Sequence, residues 1–319
     1  MSSEIPPDED PAMSPDDAFN IVGDDTRIQI LQTLGEADEP LTYSELLNRI
    51  EYDSTNFHYH LKKLDGHFIH ETDDGYTLRQ AGGRVVKAIL SGAVTEYPAI
   101  DRTPVETPCY LCEGDMEMGY RHEVVGLFCA DCGGTRAETS ETTGDGTQPA
   151  TDIVGGLGLP PAGVHGRTPA EILRAAEVWT VTQGQAVARD VCPWCSASLD
   201  DSVEVCEDHD ATDGRCQGCD QRFGVSLHVS CTNCIFEQKS IFTSRLLAHP
   251  DVMAFMLDHG IDPISPDAFH LTAEETIHST DPFEGSFTFS ADADAITLTV
   301  NDSLSVIEVT RHDASEIGC

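Results

Sequence analysis

Ten of the twelve cysteines in this chain of 319 residues fall in five C-x2-C pairs: Cys109/Cys112, Cys129/Cys132, Cys192/Cys195, Cys216/Cys219 and Cys231/Cys234. A sixth pair, Cys206-x2-His209, repeats the spacing with an imidazole in second place. Two donors at this spacing turn toward one centre, and four around one centre make the tetrahedron that zinc prefers. These donors predict about three structural zinc ions per chain, because four protein ligands leave no open position for catalysis. Cys319 is left unpaired.

Cys109, Cys112, Cys129 and Cys132 form a self-contained set, two pairs separated by a Met-, Tyr-, Val-, Leu- and Phe-bearing stretch that can close as a hairpin. Beyond it lie eight donors in four pairs, enough for two metals. Sequential pairing would give one site from Cys192, Cys195, Cys206 and His209, and another from Cys216, Cys219, Cys231 and Cys234. Gaps of ten and eleven residues inside those sites suit compact ribbons, so sequential pairing is the expectation. A cross-brace of first with third and second with fourth is an alternative. So is an arrangement in which Cys206 and His209 stay unligated and another pair goes unused. Zinc in ribbons of this size supplies on the order of 10 to 16 kcal/mol of folding free energy, which can stand in for a large core.

Other chemistries find less support. Pro108-Cys109-x2-Cys112 has the PCxxC form of zinc deaminases, but the upstream His-x-Glu they require does not precede it. No ferredoxin-type cysteine run, Ser-His-Asp order or phosphate loop is present, so no enzyme activity is expected. Reversible thiol oxidation stays open as a sensing chemistry.

The elements that must position these groups follow from local pattern. Residues 1–14 are acidic and Pro-rich without periodicity and read as a disordered leader. Asp16 to Leu34 has helical spacing interrupted by Gly23-Asp24-Asp25, giving one helix or two short ones. Thr42 with Glu45 is a capping box for a short helix, and Ser54 caps the next. Asp74-Gly75 joins two short alternating runs as a hairpin, and helical spacing returns after it. Pro98 to Pro108 reads as a linker, and residues 135–164 as a second, flexible one. Thr168, Pro169 and Glu171 open a helix whose apolar stripe is Ile172, Leu173, Ala176 and Trp179. Past the cysteines, Ile241 to Ile261 is helical with a break at Pro250 and a stop at Gly260, and three alternating segments at the end form an antiparallel meander.

The helix over "STNFHYHLKKL" divides cleanly. Phe57, His60, Leu61 and Leu64 share one face, while Thr55, Asn56, His58, Tyr59, Lys62 and Lys63 share the other. With "DDTRIQILQTLGE" before it and "HFIHETDDGYTLR" after it, this motif resembles the winged helix-turn-helix of ArsR-type transcriptional regulators over residues 16–96. The resemblance implies that the helix lies in the DNA major groove. Thr55, Asn56, His58 and Tyr59 would then face base edges, Lys62 and Lys63 the phosphates, Ser54 the start of the same surface, and Arg79 a phosphate at the wing base. It also implies that His60 packs inward. Metal-sensing members carry thiols in this module, whereas here no cysteine precedes Cys109. The arrangement as a whole resembles haloarchaeal regulators that join such a module to a cysteine-rich zinc-ribbon region.

Asp and Glu outnumber Lys and Arg by 56 to 18, for a net charge of -38. The carboxylates are spread along the chain, and only four of the basic residues are lysine. That pattern fits adaptation to molar salt, where the Debye length is about 3 Å and carboxylates retain water and cations. Residues 20–96 hold seven basic and thirteen acidic residues, net -6, while residues 97–319 hold 11 and 37, net -26. Half of the lysines sit in the one helix. No apolar run is long enough to span a membrane and no targeting segment is evident, so a cytoplasmic location is expected.

The sequence thus predicts an α+β multidomain chain. Its parts would be a winged helix-turn-helix at 15–97, a zinc ribbon at 105–134, and a region at 165–319 holding a double zinc module (190–236), helices and a small antiparallel sheet. The function expected is sequence-specific binding of double-stranded DNA by a transcriptional regulator, as a homodimer matched to a palindromic site. The alternative is a transcription-machinery or adaptor protein that uses the same modules for protein contacts.

Overall fold

A computed structural model describes residues 13–50, 54–134, 152–212 and 215–312, with only the backbone of residues 54 and 55. The acidic leader up to residue 12, most of the 135–164 segment, Cys319 and the side chains of Ser54 and Thr55 lie outside the described residues. Eight α-helices and four antiparallel sheets are present among the described residues, and the chain divides into two compact units, Met1–Glu96 and Tyr97–Cys319.

The first unit is a helical core with a hairpin. Gly23-Asp24 separates α1 (Pro15–Val22) from α2 (Asp25–Gly35), so the interrupted pattern resolves into two helices. The Asp24 side chain accepts from the Arg27 N–H and caps the second. Thr42 and Glu45 close the predicted capping box ahead of α3 (Tyr43–Ile50): Glu45 Oε2 accepts the Thr42 N–H at 2.8 Å, and Thr42 Oγ1 accepts the Glu45 N–H at 3.3 Å. Then come α4 (Ser54–Leu64), the β1 (Ile69–Thr72) and β2 (Gly75–Leu78) hairpin, and α5 (Gln80–Leu90). Thr72 pairs with Gly75, so the turn itself is Asp73-Asp74. Gly75 has φ +134°, and a Cβ there would lie 2.5 Å from the Leu41 carbonyl oxygen. That approach lets Leu41 bridge to Tyr76 and tie the entry of α3 to the hairpin. Ile30, Leu31, Leu46, Phe57, Leu61, Leu64 and Ile69 fill the core.

The second unit holds two cores. In the first, β3 (Ile100–Val105), β4 (Met116–Arg121), β5 (Val124–Phe128) and β6 (Ile153–Gly158) form an antiparallel sheet in chain order. Two strands lie where linkers were expected: β3 inside 98–108 and β6 inside 135–164. Val154, Leu157 and Leu159 are buried, so the end of the Gly-rich segment is core, its glycines notwithstanding. The helix α6 (Pro169–Val187) opens on the predicted Thr168/Glu171 box and lays Ile172, Leu173 and Ala176 on this sheet. A boundary at 164/165 would therefore cut one core in two. The expected stripe is also corrected at its end: Trp179 is 42% exposed, whereas Glu177 is buried.

The second core lies between β7 (Leu199–Val205), β8 (Val225–Cys231) and β9 (Glu237–Ile241), the helices α7 (Thr243–Leu246) and α8 (Pro250–Asp258), and a four-stranded meander. The meander runs β10 (Thr272–Thr280), β11 (Phe283–Ala291), β12 (Asp294–Val300) and β13 (Val306–His312), one strand more than its three recognised segments. Phe287, Phe289, Ile296 and Leu298 alternate inward from it. Pro250 starts α8 and Gly260, at φ +72°, follows its end, as their chemistry predicts.

Candidate metal centres and nucleic-acid interface

All twelve predicted donors converge, and they do so as three tetrads: Cys109, Cys112, Cys129 and Cys132; Cys192, Cys195, Cys231 and Cys234; Cys206, His209, Cys216 and Cys219. In each, the donor atoms lie within 4.8 Å of one another. The first set is the one expected. The pairing of the other eight donors is neither sequential nor cross-braced but nested: first pair with fourth, second with third.

Strand register explains the nesting. Leu199 pairs with Cys231 at one end of the β7–β8 hairpin, and Val205 pairs with Val225 at the other. The first and fourth knuckles flank the open end of that hairpin, and the second and third lie in the connection at its closed end. A strand rises about 3.4 Å per residue, so the seven residues of β7 hold Cys195 and Cys206 roughly 20 Å apart. Sequential pairing would require those two thiols to meet. The first tetrad obeys the same rule, its knuckles bracketing the open end of the β4–β5 hairpin.

Sulfur separations fit a tetrahedral zinc. With Zn–S near 2.3 Å the edge of such a tetrahedron is about 3.8 Å, against about 2.05 Å for a disulfide. The observed Sγ···Sγ distances are 3.8 Å for Cys109–Cys132, 3.6 Å for Cys112–Cys129, 3.7 Å for Cys192–Cys234, 3.5 Å for Cys195–Cys231 and 4.0 Å for Cys206–Cys216. In the mixed tetrad, His209 Nδ1 lies 3.5 Å from Cys219 Sγ. Its Nε2 faces the Arg222 carbonyl oxygen at 3.1 Å, the outer hydrogen bond that fixes which nitrogen of a ligating imidazole is free.

The knuckles are shaped by backbone. The residue after the second cysteine takes positive φ in four of them: Glu113 at 60°, Gly133 at 66°, Ser196 at 65° and Asp220 at 55°. Three of these are not glycine, a conformation costing on the order of 1 kcal/mol each that the turn around the donors must offset. Backbone N–H groups then point at sulfur, as from Leu111 to Cys109, Gly218 to Cys216 and Asn233 to Cys231. The N–H of Ala197 pulls the Cys195 thiol down to about 6, and that of Asp210 pulls Cys216 down to about 6. Burial pushes Cys109 and Cys219 up to about 12. The first and the mixed tetrads thus contain thiols that a bound cation would have to deprotonate.

The tetrads differ in what surrounds them. Cys109, Cys129 and Cys132 are part of the β3–β6 core, and Cys192, Cys231 and Cys234 part of the β7–β13 core, where Phe236 packs edge-on to Trp194 at 5.5 Å. The four donors of the mixed tetrad belong to neither apolar cluster.

On α4 the two predicted faces are separated. Phe57, Leu61 and Leu64 are buried, and His60 is 8% exposed with Nδ1 at 3.2 Å from Asp24 Oδ1. Asn56, His58, Tyr59, Lys62 and Lys63 are exposed, and Lys63 Nζ lies 5.7 Å from the Tyr59 ring centre. Arg79 is exposed where β2 hands over to α5, and its backbone N–H donates to the Phe68 carbonyl oxygen at 2.9 Å. Among the described residues, no helix is long and apolar enough to cross a membrane.

Sequence reasoning missed the groups that hold the mixed tetrad from outside, chiefly Gly224 and Glu275. Glu275 lies far along the chain in a strand that had no recognised pattern, so only tertiary structure reveals it.

Residues 15–89 match a family model described as a domain of unknown function, DUF7347, and residues 106–306 match another described as a domain of unknown function, DUF7351. The second match contains all twelve donors and covers more than half of the chain. No curated protein and no solved structure matches.

Proposed function

The chain belongs to the DUF7351 family, and we propose that it is a DNA-binding transcriptional regulator whose second unit is built around zinc. The observation that carries this reading is α4. It presents Asn56, His58, Tyr59, Lys62 and Lys63 to solvent on one face while the opposite face is locked into the core of its unit. Asn can pair with adenine through two hydrogen bonds, and lysines grip phosphate. The order α2, α3, α4, hairpin, α5 supports a winged helix-turn-helix of the ArsR type, with Arg79 at the wing base. Tetrahedral donor sets at 3.5–4.0 Å spacing support zinc as the ion, in zinc-ribbon form for the hairpin-borne sites.

In molar salt, counterion release is already weakened. The lysines then chiefly set the helix in register, and discrimination rests on Asn56, His58, Tyr59 and Thr55. DNA selection followed by gel shift at molar KCl tests this. Lys62→Ala combined with Lys63→Ala should lower affinity for all sequences alike, whereas Asn56→Ala should cost about 1 to 3 kcal/mol at one base position only. Recovery of no preferred sequence would sink the regulator reading.

An adaptor role has one observation in its favour. Trp194 is 61% exposed and Ile235 89% exposed, both on knuckles of the second tetrad. Apolar side chains carried on a rigid metal knuckle suit contact with another protein.

A further inference from the structure

The mixed tetrad, set apart from both apolar cores, is held by something else. Gly224 closes the loop that carries it. Its carbonyl oxygen accepts the Cys206 N–H at 2.9 Å, and its Cα packs so closely on His209 that a Cβ would lie 2.6 Å from the imidazole Cγ. One residue thereby sets the position of two of the four donors. The N–H of Gly224 in turn donates to Glu275 Oε1.

Glu275 comes from β10, where it shares the inward face with Ala273 and Ile277, which pack against the second core. Its side chain is 7% exposed, and Oε1 lies 3.9 Å from His209 Nε2. Oε2 is buried with no hydrogen-bond partner among the described residues. A carboxylate in such a place is costly unless its environment is kept in order. The contacts that order it here are those of the metal loop, Gly224 and His209, together with the backbone of Val225 where β8 begins.

We propose that Glu275 and Gly224 form a clamp through which the mixed tetrad and the C-terminal sheet hold each other in place, and that this tetrad is the exchangeable metal position of the chain. The other two tetrads are braced by apolar cores, so losing an ion there means opening a core. At the mixed tetrad, losing the ion frees only the loop between β7 and β8. It then strips Glu275 of its Gly224 and His209 neighbours, so occupancy is transmitted to β10, the edge strand of the meander. Glu275 is a positioning residue: it touches no donor sulfur and acts through Gly224. The proposal rests on the reading of the three tetrads as metal sites and adds to it an order of lability and a route by which loading reaches the sheet.

Metal release from the intact chain tests it. The zinc-loaded protein in molar KCl is mixed with excess metallochromic chelator, and release is followed together with hydrogen exchange of β10. One of the three equivalents implied by the tetrads should leave at least about tenfold faster than the others, with loss of protection in β10 in step. Cys219→Ser should abolish that fast equivalent and leave the two slow ones. Glu275→Ala should speed the fast phase by about 10- to 100-fold without altering the slow phases. Glu275→Gln, which still offers an oxygen to the Gly224 N–H, should recover most of the loss. Should Glu275→Ala also disturb the slow phases, Gly224→Ala provides the same reading, because it displaces His209 without removing a buried charge. Release of all three equivalents in one phase, or clamp variants that release like the parent, would overturn the proposal. Fewer than three zinc per chain at the start would instead remove the metal reading beneath it, and the starting count separates the two failures.

Discussion

The two units of this chain solve the same problem with different materials. Residues up to Glu96 contain no cysteine and fold around Ile30, Leu31, Leu46, Phe57, Leu61 and Leu64, supplied by helices close in sequence. Residues from Tyr97 onward use short strands and long connections. There, two of the three tetrads supply cysteines directly to the apolar clusters. Burial of carbon stabilises the first unit by roughly 25 cal/mol per Å². In the second, coordination can contribute on the order of 10 kcal/mol per site, enough to close connections that hydrophobic burial alone would leave open. The division also follows charge: at net -26, residues 97–319 carry most of the acidic excess.

Metal removal is the strongest way to break this comparison. Stripping zinc with chelator under conditions where the thiols stay reduced should unfold the second unit, since about 10 kcal/mol lost at even one core-braced tetrad is comparable to the whole stability of an ordinary domain. Peptide-resolved hydrogen exchange should then show residues 97–312 deprotected while α2, α4 and α5 keep their protection. Equal loss in both units, or in neither, would mean that the division by material is wrong.

A core substitution runs the comparison the other way. Phe57 is fully buried and packs edge-on to Tyr43 at 5.5 Å. Phe57→Ala should cost about 3 to 5 kcal/mol and melt the first unit. Zinc content and the protection of the second unit should be unchanged. A variant that also loses metal would show that the units do not fold independently.

How much of this was legible in the sequence depended on the range over which each feature is encoded. The Thr42/Glu45 and Thr168/Glu171 boxes, the faces of α4 and the stop at Gly260 are local, set by residues within one turn of each other, and each was readable, whereas the interruption at Gly23-Asp24 left one helix or two open. The twelve donors were readable too, because C-x2-C is a local geometry. Their nesting was not. It depends on the cross-strand register of Leu199 with Cys231 and Val205 with Val225. Gap lengths suggested sequential pairing because they count residues, whereas an extended strand converts residues into distance. The described end of the linker expected over 135–164 differed for a similar reason: half of "IVGGLG" is glycine, and β6 forms along the edge that β5 offers it. Glu177 and Glu275 were missed because nothing local marks a carboxylate for burial. Glu177 accepts a hydrogen bond from the Tyr110 hydroxyl, and burial raises its pKa, as it does for Glu275.

The smallest test uses a device that both units share. Thr42 and Thr168 begin α3 and α6 with the same reciprocal box, the glutamate oxygen accepting the threonine N–H at 2.8 Å in both. Thr42→Ala should lower the stability of the first unit by about 1 kcal/mol, visible as a lower denaturant midpoint. Thr168→Ala removes an equal local interaction, but its helix is pinned on a sheet whose hairpin ends in a tetrad. In the zinc-loaded protein its effect on the unfolding midpoint should be a smaller fraction of the total. The acid response sharpens the point. The Thr42 hydroxyl and N–H hold the Glu45 carboxyl below the usual carboxylate range, and the Thr168 N–H and hydroxyl do the same for Glu171. A lowered folded-state pKa stabilises above the unfolded value, and that stabilisation is lost as pH falls through the folded one. Both Thr→Ala effects should therefore shrink on acidification below the usual carboxylate range. In the second unit a larger change should overlie this, because protons compete with zinc for the thiolates, and a first unit free of metal should show the cap alone.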